Sequence, residues 1–338
     1  MNKLSIIGID LAKNVIQLHG NDANGHTRFT RKLKRKEVLA FMVKQPKSLV
    51  AMEACGGAHY WARMLQEQGH EVKMIHPQYV KPFVQVHKND ARDALAIAEA
   101  AARPAMPTVA IKSVEQQDIQ AIHRVRERLV KEKTAISNEL RGLLGEYGIV
   151  MAQGHKNIRE TVLSILESAD NGMSMKGREI INDLREQWLD RETRIGEYDK
   201  TLKIIAKDNV VCQRLQSIPG IGPVNATLLY SHTGDHNHFA SGRHLSASLG
   251  LVPRQHASGG KENLLGISKR GNKHVRKQLV HGARAAYKVL QKEDNKSRLG
   301  LWVKRMEGKH PNKIIVALAN KMARIVWALM KNETVYQA

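Results

Sequence analysis

LSIIGID, residues 4–10, is a short apolar run rich in Ile that stops at an acid. Such a run reads as a buried strand whose last residue, Asp10, leaves the sheet at its edge. SLVAMEA, residues 48–54, repeats the arrangement and brings Glu53 to the same kind of position. A further pair, Asp90 and Asp93, opens KNDARDALAIAEA at 88–100. Three residues apart at the head of a helix, they share one face. Four carboxylates gathered in one cleft repel one another unless cations neutralise them, and hard Mg²⁺ or Mn²⁺ with oxygen ligands does so. The chemistry that follows is phosphoryl transfer, since two such ions about 3.5–4 Å apart clamp the attacking and leaving oxygens of a phosphodiester. Taken singly, each acid also fits a helix cap or an ordinary surface charge.

Working outward, residues 15–20, 26–32 and 71–76 read as further strands, and 34–45, 57–69 and 91–102 as helices. Three strands in meander order, then two separated by a helix, make a mixed α/β domain with its acids at one sheet edge. That order suggests an RNase H-like fold. Pro104 and Pro107 break the pattern and set a boundary within 103–112.

The chain has 338 residues, 42% of them hydrophobic, with no apolar run of eighteen or more. Two or three domains and no membrane span are expected. Met1 leads almost directly into the first strand, so a cytoplasmic, nucleoid-associated protein is expected rather than an exported one. Cys55 and Cys212 are the only cysteines and lack metal-type spacing, which fits a reduced compartment. Cys55 reads as a small buried hydrophobe. The net charge is +22 and uneven: residues 1–108 hold 16 Lys/Arg against 9 Asp/Glu, 109–208 hold 17 against 17, and 209–338 hold 21 against 6. The last third is therefore a polyanion-binding surface, and nucleic acid is the polyanion that rewards such a surface through counterion release. No basic amphipathic stretch beside an anchor argues for a membrane.

Ser113 with Gln116 makes a capping box for a long helix carrying Ile122, Leu129, Ile136, Leu140 and Leu143 at heptad-like steps. A second stripe runs through Ile181, Leu184, Trp188, Ile195, Tyr198, Leu202 and Ile205. Together they predict an antiparallel coiled-coil arm over 109–208, serving as a spacer or, because a long seam needs a partner face, in homo-oligomerisation as a dimer or tetramer. LQSIPGIGPVNATLL, residues 215–229, resembles a helix-hairpin-helix, in which Gly220 and Gly222 free backbone amides for a phosphate; a plain helix turn is the alternative. Residues 253–273 read as a long loop bearing Arg254, Ser258, Lys261, Ser268, Lys269 and Arg270, with Lys273 and Arg276 opening the basic helix that follows. Ser258 beside Gly259 and Gly260 is an accessible hydroxyl with cations near it, which suits a nucleophile and equally suits a flexible loop. His236 and His238 read as a solvated turn rather than a metal site.

GID-LAK at the N-terminus, MEACGGAHYW around Glu53, the KNDARDALAIAEA helix, SIPGIGP and LGLVPRQHASGG occur here in one order. By these motifs the chain resembles the DEDD-type transposases of bacterial insertion sequences, the insertion-sequence 110/1111 group, which takes in the Piv DNA invertases. The resemblance covers nearly the whole chain. It implies a RuvC-like domain at 1–108 whose acids Asp10, Glu53, Asp90 and Asp93 bind Mg²⁺, a coiled-coil arm at 109–208, and a mainly helical transposase domain at 209–338 with Ser258 as nucleophile. The family's loop carries another residue where this chain has Gly260. The resemblance also implies a structured, element-encoded RNA that pairs with donor and target DNA, a partner that composition does not itself reveal.

Three further functions compete with the cut-and-rejoin recombinase. A junction-resolving nuclease would use the four acids with water and make the Ser258 loop dispensable. A non-catalytic nucleic-acid-binding protein would not need the acids. An actin-like ATPase shares the GID opening but needs a second Gly-rich phosphate loop that is absent from this sequence.

Overall fold

The computed structural model describes residues 4–84, 90–152, 154, 156–258, 261–292 and 294–337; the side chains of residues 4, 90–91, 156–157, 256–258 and 261–262 fall outside that description. Two compact units form, one from Met1–Gln116 with Thr233–Ala240 and the other from Gln117–His232 with Ser241–Ala338.

The first unit is a sheet covered on both faces. Its elements are β1 (Leu4–Asp10), β2 (Val15–Asp22), β3 (Thr27–Lys34), α1 (Val38–Met42), β4 (Leu49–Glu53), α2 (Ala58–Glu67), β5 (Glu71–Ile75), α3 (Pro77–Val80), α4 (Asp90–Ala101) and β6 (Thr108–Val109). The strand order is β3-β2-β1-β4-β5-β6, with β1, β4 and β5 parallel and the others antiparallel to their neighbours. The three opening strands form the expected meander, and β4 and β5 are joined by α2, as parallel neighbours require. Two residues long, β6 gives no periodic signal in sequence and was not anticipated.

Strand alternation sorts the core. Ile7, Ile9, Val50 and Met52 bury against Ala58, Trp61, Ala62 and Leu65 of α2. Their neighbours Ile6, Leu49 and Ala51 pack instead with Ala96, Ile97, Ala100 and Ala101 of α4. Gly8 lets α4 lie directly on β1: a Cβ there would collide with the carbonyl oxygen of Ala94 and stand 2.8 Å from the amide nitrogen of Ala98. A glycine in a strand interior often marks such a close approach.

The second unit is mainly helical: α5 (Val114–Glu146), α6 (Lys156–Glu167), α7 (Met175–Asp208), α8 (Val210–Gln216), α9 (Pro223–Thr233), α10 (Gly242–Ser248), the strands β7 (Pro253–Ser258) and β8 (Lys261–Ile267), then α11 (Lys273–Leu290), α12 (Arg298–Lys304) and α13 (Pro311–Asn332). The capping box that starts α5 is present: the Ser113 amide donates to Gln116 Oε1 and the Gln116 amide to Ser113 Oγ, both at 3.1 Å. Helices α5 and α7 run antiparallel. Arg126 bonds Asp199 at 2.6 Å, Arg191 bonds Glu132 at 3.1 Å, Lys133 bonds Glu192 at 3.1 Å and Trp188 Nε1 donates to Ser137 Oγ at 2.9 Å. Ile136, Leu140 and Leu144 close over Ile181, Leu184 and Trp188, joined by Ile158 and Val162 of α6. Leu144 is fully buried while Leu143 is 36% exposed, so the seam turns one residue later than expected. The partner face that the seam demands thus comes from the same chain.

Residues 253–267 form a β-hairpin rather than the expected loop. The register pairs Ser258 with Lys261 and His256 with Asn263. Gly259-Gly260 between two short runs is itself a hairpin signal, overlooked because the flanking residues are polar rather than alternating with apolar ones. In the rest of the unit, α13 buries an i, i+3, i+4 stripe from Ile314 to Met330 against α8, α10 and α11.

Candidate functional site

Asp10 ends β1 and Glu53 ends β4, two parallel strands in register, with Ile9 opposite Met52. By the two-residue alternation both belong to the face that α4 covers, the face of Gly8 and Ala51. Both are half-buried. Asp93, also half-buried, precedes Ala94, the residue whose carbonyl meets Gly8, two positions before Asp10. Asp90 is the first residue of α4. The head of one helix and the carboxyl ends of two strands are thereby brought to one face of one sheet. Among the described residues, no group of three His, Cys, Asp or Glu side chains is gathered tightly enough to hold a metal ion; the Asp90 carboxylate and the Ser258 hydroxyl lie outside the described residues.

The local field is negative. Partial desolvation of its sulfur, then the charges of Glu53 and Asp10, raise the Cys55 thiol pKa. Cys55 is exposed rather than buried as expected, because it follows the end of β4 in a turn instead of lying within the strand. Its thiol stays protonated near neutrality, which makes it a poor nucleophile. Gln17, directly opposite Asp10 across β1 and β2 and only 8% exposed, shares the acidic face and was not singled out in sequence. Further along that face His19, its pKa lowered by burial, bonds Asn21 Oδ1 at 2.8 Å and Thr30 Oγ1 at 3.0 Å. A Gly in mid-strand and buried polar residues on its neighbour were the signals available for both.

In the second unit, Gly220 carries φ +88°, and a Cβ on it would collide with the carbonyl oxygen of Gly282 in α11. That glycine is therefore required for helix packing in addition to any role at a phosphate. At Gly222 an added Cβ would meet nothing within 4 Å. Ser258 ends β7, and Arg254 on the same strand is exposed. Lys269, Arg270 and Lys273 are exposed at the base of the hairpin. Lys269 has φ +56°, a left-handed backbone held there by Ser268 N donating to Val252 O at 2.8 Å and Lys269 N to Gly250 O at 3.1 Å. The cations are presented from a rigid corner. Arg276 differs: its guanidinium donates to Leu249 O at 2.9 Å and Arg270 O at 3.4 Å, so it ties that corner together. Lys261 has its backbone in β8.

His238 is not a solvated turn residue. It sits in a short 3-10 turn and its Nε2 bonds the Thr108 carbonyl at 2.5 Å, pinning residues 235–238 to β6 within the first unit.

Comparison with known proteins follows the same division. Residues 212–297 match the family described as Transposase IS116/IS110/IS902, and residues 7–149 match a second transposase family, the DEDD transposases of the IS110 type. The transposase for insertion sequence element IS1111A of Coxiella burnetii is 47% identical over 339 residues, covering 100% of this chain and 92% of that protein. A probable family 20 transposase of Pseudomonas aeruginosa is 44% identical, with 99% of each chain covered. The pilin gene-inverting protein of Moraxella lacunata is 26% identical over 83% of this chain and 79% of its own length.

Proposed function

The chain belongs to the IS116/IS110/IS902 family of transposases, enzymes that cut and rejoin DNA, and on that premise we propose that it does so through a serine nucleophile and a divalent-metal acidic site. The observation that carries the reading is the placement of Asp10 and Glu53 at the ends of neighbouring parallel strands, on the face that receives the head of α4. The donor set is all carboxylate, and the field at Cys55 is one that rewards a cation. Asp10, Glu53, Asp90 and Asp93 are the residues that would hold Mg²⁺ or Mn²⁺. When bound, such ions neutralise charge on the scissile phosphate and on the departing oxygen.

In this reading Ser258 Oγ attacks phosphorus, forms an Oγ–P bond and breaks the bond to a sugar oxygen, which leaves with a proton. A free strand end then attacks the phosphoserine and restores the hydroxyl. The bond energy is conserved in the covalent link, so no nucleotide triphosphate is consumed. Arg254, Lys261, Lys269, Arg270 and Lys273 serve phosphates, with Gly220 and Gly222 offering backbone near the turn. We assign the labour as acids in 1–108, arm in 109–208, and serine hairpin with the basic surface in 209–338. An RNA that pairs with donor and target, and assembly into dimers or tetramers, complete the proposal; the +22 charge is compatible with both nucleic acids.

The test is strand cleavage in Mg²⁺ by purified variants. Asp10→Asn and Asp93→Asn are expected to lose cleavage by a factor of roughly 10² or more while keeping their thermal midpoint and DNA affinity. Full cleavage by either variant would remove the metal site from the account.

A further inference from the structure

The first unit holds a second feature on the opposite side of its sheet from the acids. A cavity of about 530 Å³ opens between α2, β5, β6 and the 235–238 turn. Its walls include Val72 and Met74, which belong to the cluster packed under α2, and Val109 and Ile111, which pack against it. Its charged lining is Arg63, Lys73 and Lys112 against the single carboxylate of Asp235.

Two properties set this cavity apart from an ordinary surface dent. First, the walls are tied together: Arg63 Nη1 donates to Lys112 O at 2.7 Å, Lys112 N donates to His59 Nδ1 at 3.2 Å, and His238 bonds Thr108 O. The shape is preformed, so a ligand meets little ordering cost. Second, Lys112 is only 7% exposed. Burying an ammonium is costly without an anion to face it, and here two more cations face the same space. A carboxylate or phosphate ligand answers that arrangement; the apolar wall asks for a flat or aliphatic group attached to it. In a DNA-transposing enzyme the ligand with both parts is a nucleotide. A cavity of this size admits one nucleotide of a single strand and not a duplex.

We propose that this cavity captures a single unpaired nucleotide of a nucleic-acid strand, its phosphate held by Lys112 and Lys73 and its base or sugar laid on Val72, Met74, Val109 and Ile111. The inference draws on the transposase family but not on the metal or serine assignments, because the cavity lies on the α2 side of the sheet and the acids on the α4 side.

The experiment is photo-crosslinking of the full-length protein to a short single strand carrying one 4-thiouridine, with a 4-thiothymidine strand as the deoxyribo arm. Crosslinks are expected within residues 63–74 or 106–113. Lys112→Met and Lys73→Glu should each lower their yield roughly tenfold, the factor that the loss of one charge-assisted contact implies. Lys73→Glu lies at a partly exposed position and keeps the test usable if Lys112→Met does not fold. Lys200→Glu, an exposed change on α7, should leave the yield unaltered. Preference for one arm identifies the strand as RNA or DNA. Crosslinks confined to other peptides, or an equal loss with Lys200→Glu, would overturn the proposal. Asp10→Asn should keep these crosslinks while losing cleavage, so failure here and failure of the metal-site reading are told apart.

Discussion

Gly8 is the residue on which the acidic face depends. Without a side chain it lets α4 settle on β1, and an added methyl has only backbone atoms of Ala94 and Ala98 to push against. Gly8→Ala is expected to cost about 1–3 kcal/mol, as overpacking does, and to reduce cleavage out of proportion because it displaces the helix that carries Asp93. A melting curve and a cleavage rate that both match the unaltered protein would contradict this. In the second unit, His123 is buried, bonds Thr227 Oγ1 at 3.0 Å, and has its pKa lowered from 6.5 to about 3 by burial and then by His274 and Arg126. The folded state holds it neutral. As pH falls below 6.5 the unfolded chain takes up a proton that the folded chain refuses, so His123 contributes stability near neutrality that is lost between pH 6.5 and about 3. The slope is about 1.4 kcal/mol per pH unit for one proton. His123→Gln should flatten chemical-denaturation stability over that window, and an unchanged pH dependence would show the histidine to titrate normally in the fold.

At the scale of elements, what was legible in sequence follows the strength of each periodic signal. The strands bearing Asp10 and Glu53 are apolar runs ending in acids, and α5 and α7 each repeat apolar residues over nine or more turns. These emerge where expected. The hairpin of β7 and β8 was hidden because Arg254, Gln255, Asn263 and Leu264 are all exposed, so neither face carries a buried stripe to mark the strands. The cavity was hidden for a different reason: it joins residues 63–74, 108–113 and 235–238, which only the tertiary fold brings together. The coiled-coil stripes could be read from sequence but not their partner, and the pairing of α5 with α7 changes what a substitution there should do. Leu140→Lys places an ammonium in a filled seam, costing at least about 3 kcal/mol through lost packing and desolvation. Differential scanning calorimetry should show a midpoint lower by roughly 6 °C or more. A midpoint held while light scattering reported a smaller assembly would mean that Leu140 faces another protomer instead.

For the whole molecule the dominant quantity is charge, +22 in total with most of the excess in residues 209–338. None of its described helices is long and apolar enough to cross a membrane, and family membership makes DNA the polyanion served. Neutralising Lys269, Arg270 and Lys273 together should weaken binding to unrelated sequences equally and flatten the slope of log K against log salt by up to about three, near 0.9 per phosphate contact. A loss confined to one sequence, with the slope unchanged, would make these residues readers of bases. Arg276 is left out of that set because its removal would also loosen the corner at Leu249 and Arg270. The account turns, finally, on how the strands are joined, and mass-mapping of a covalent protein–DNA adduct trapped on a cleaved site tests that most directly. The expected result is a phosphate ester on Ser258, absent in Ser258→Ala and retained in Ser268→Ala. An adduct on another residue, or normal joining by Ser258→Ala, would contradict it and leave water or a different hydroxyl as the nucleophile.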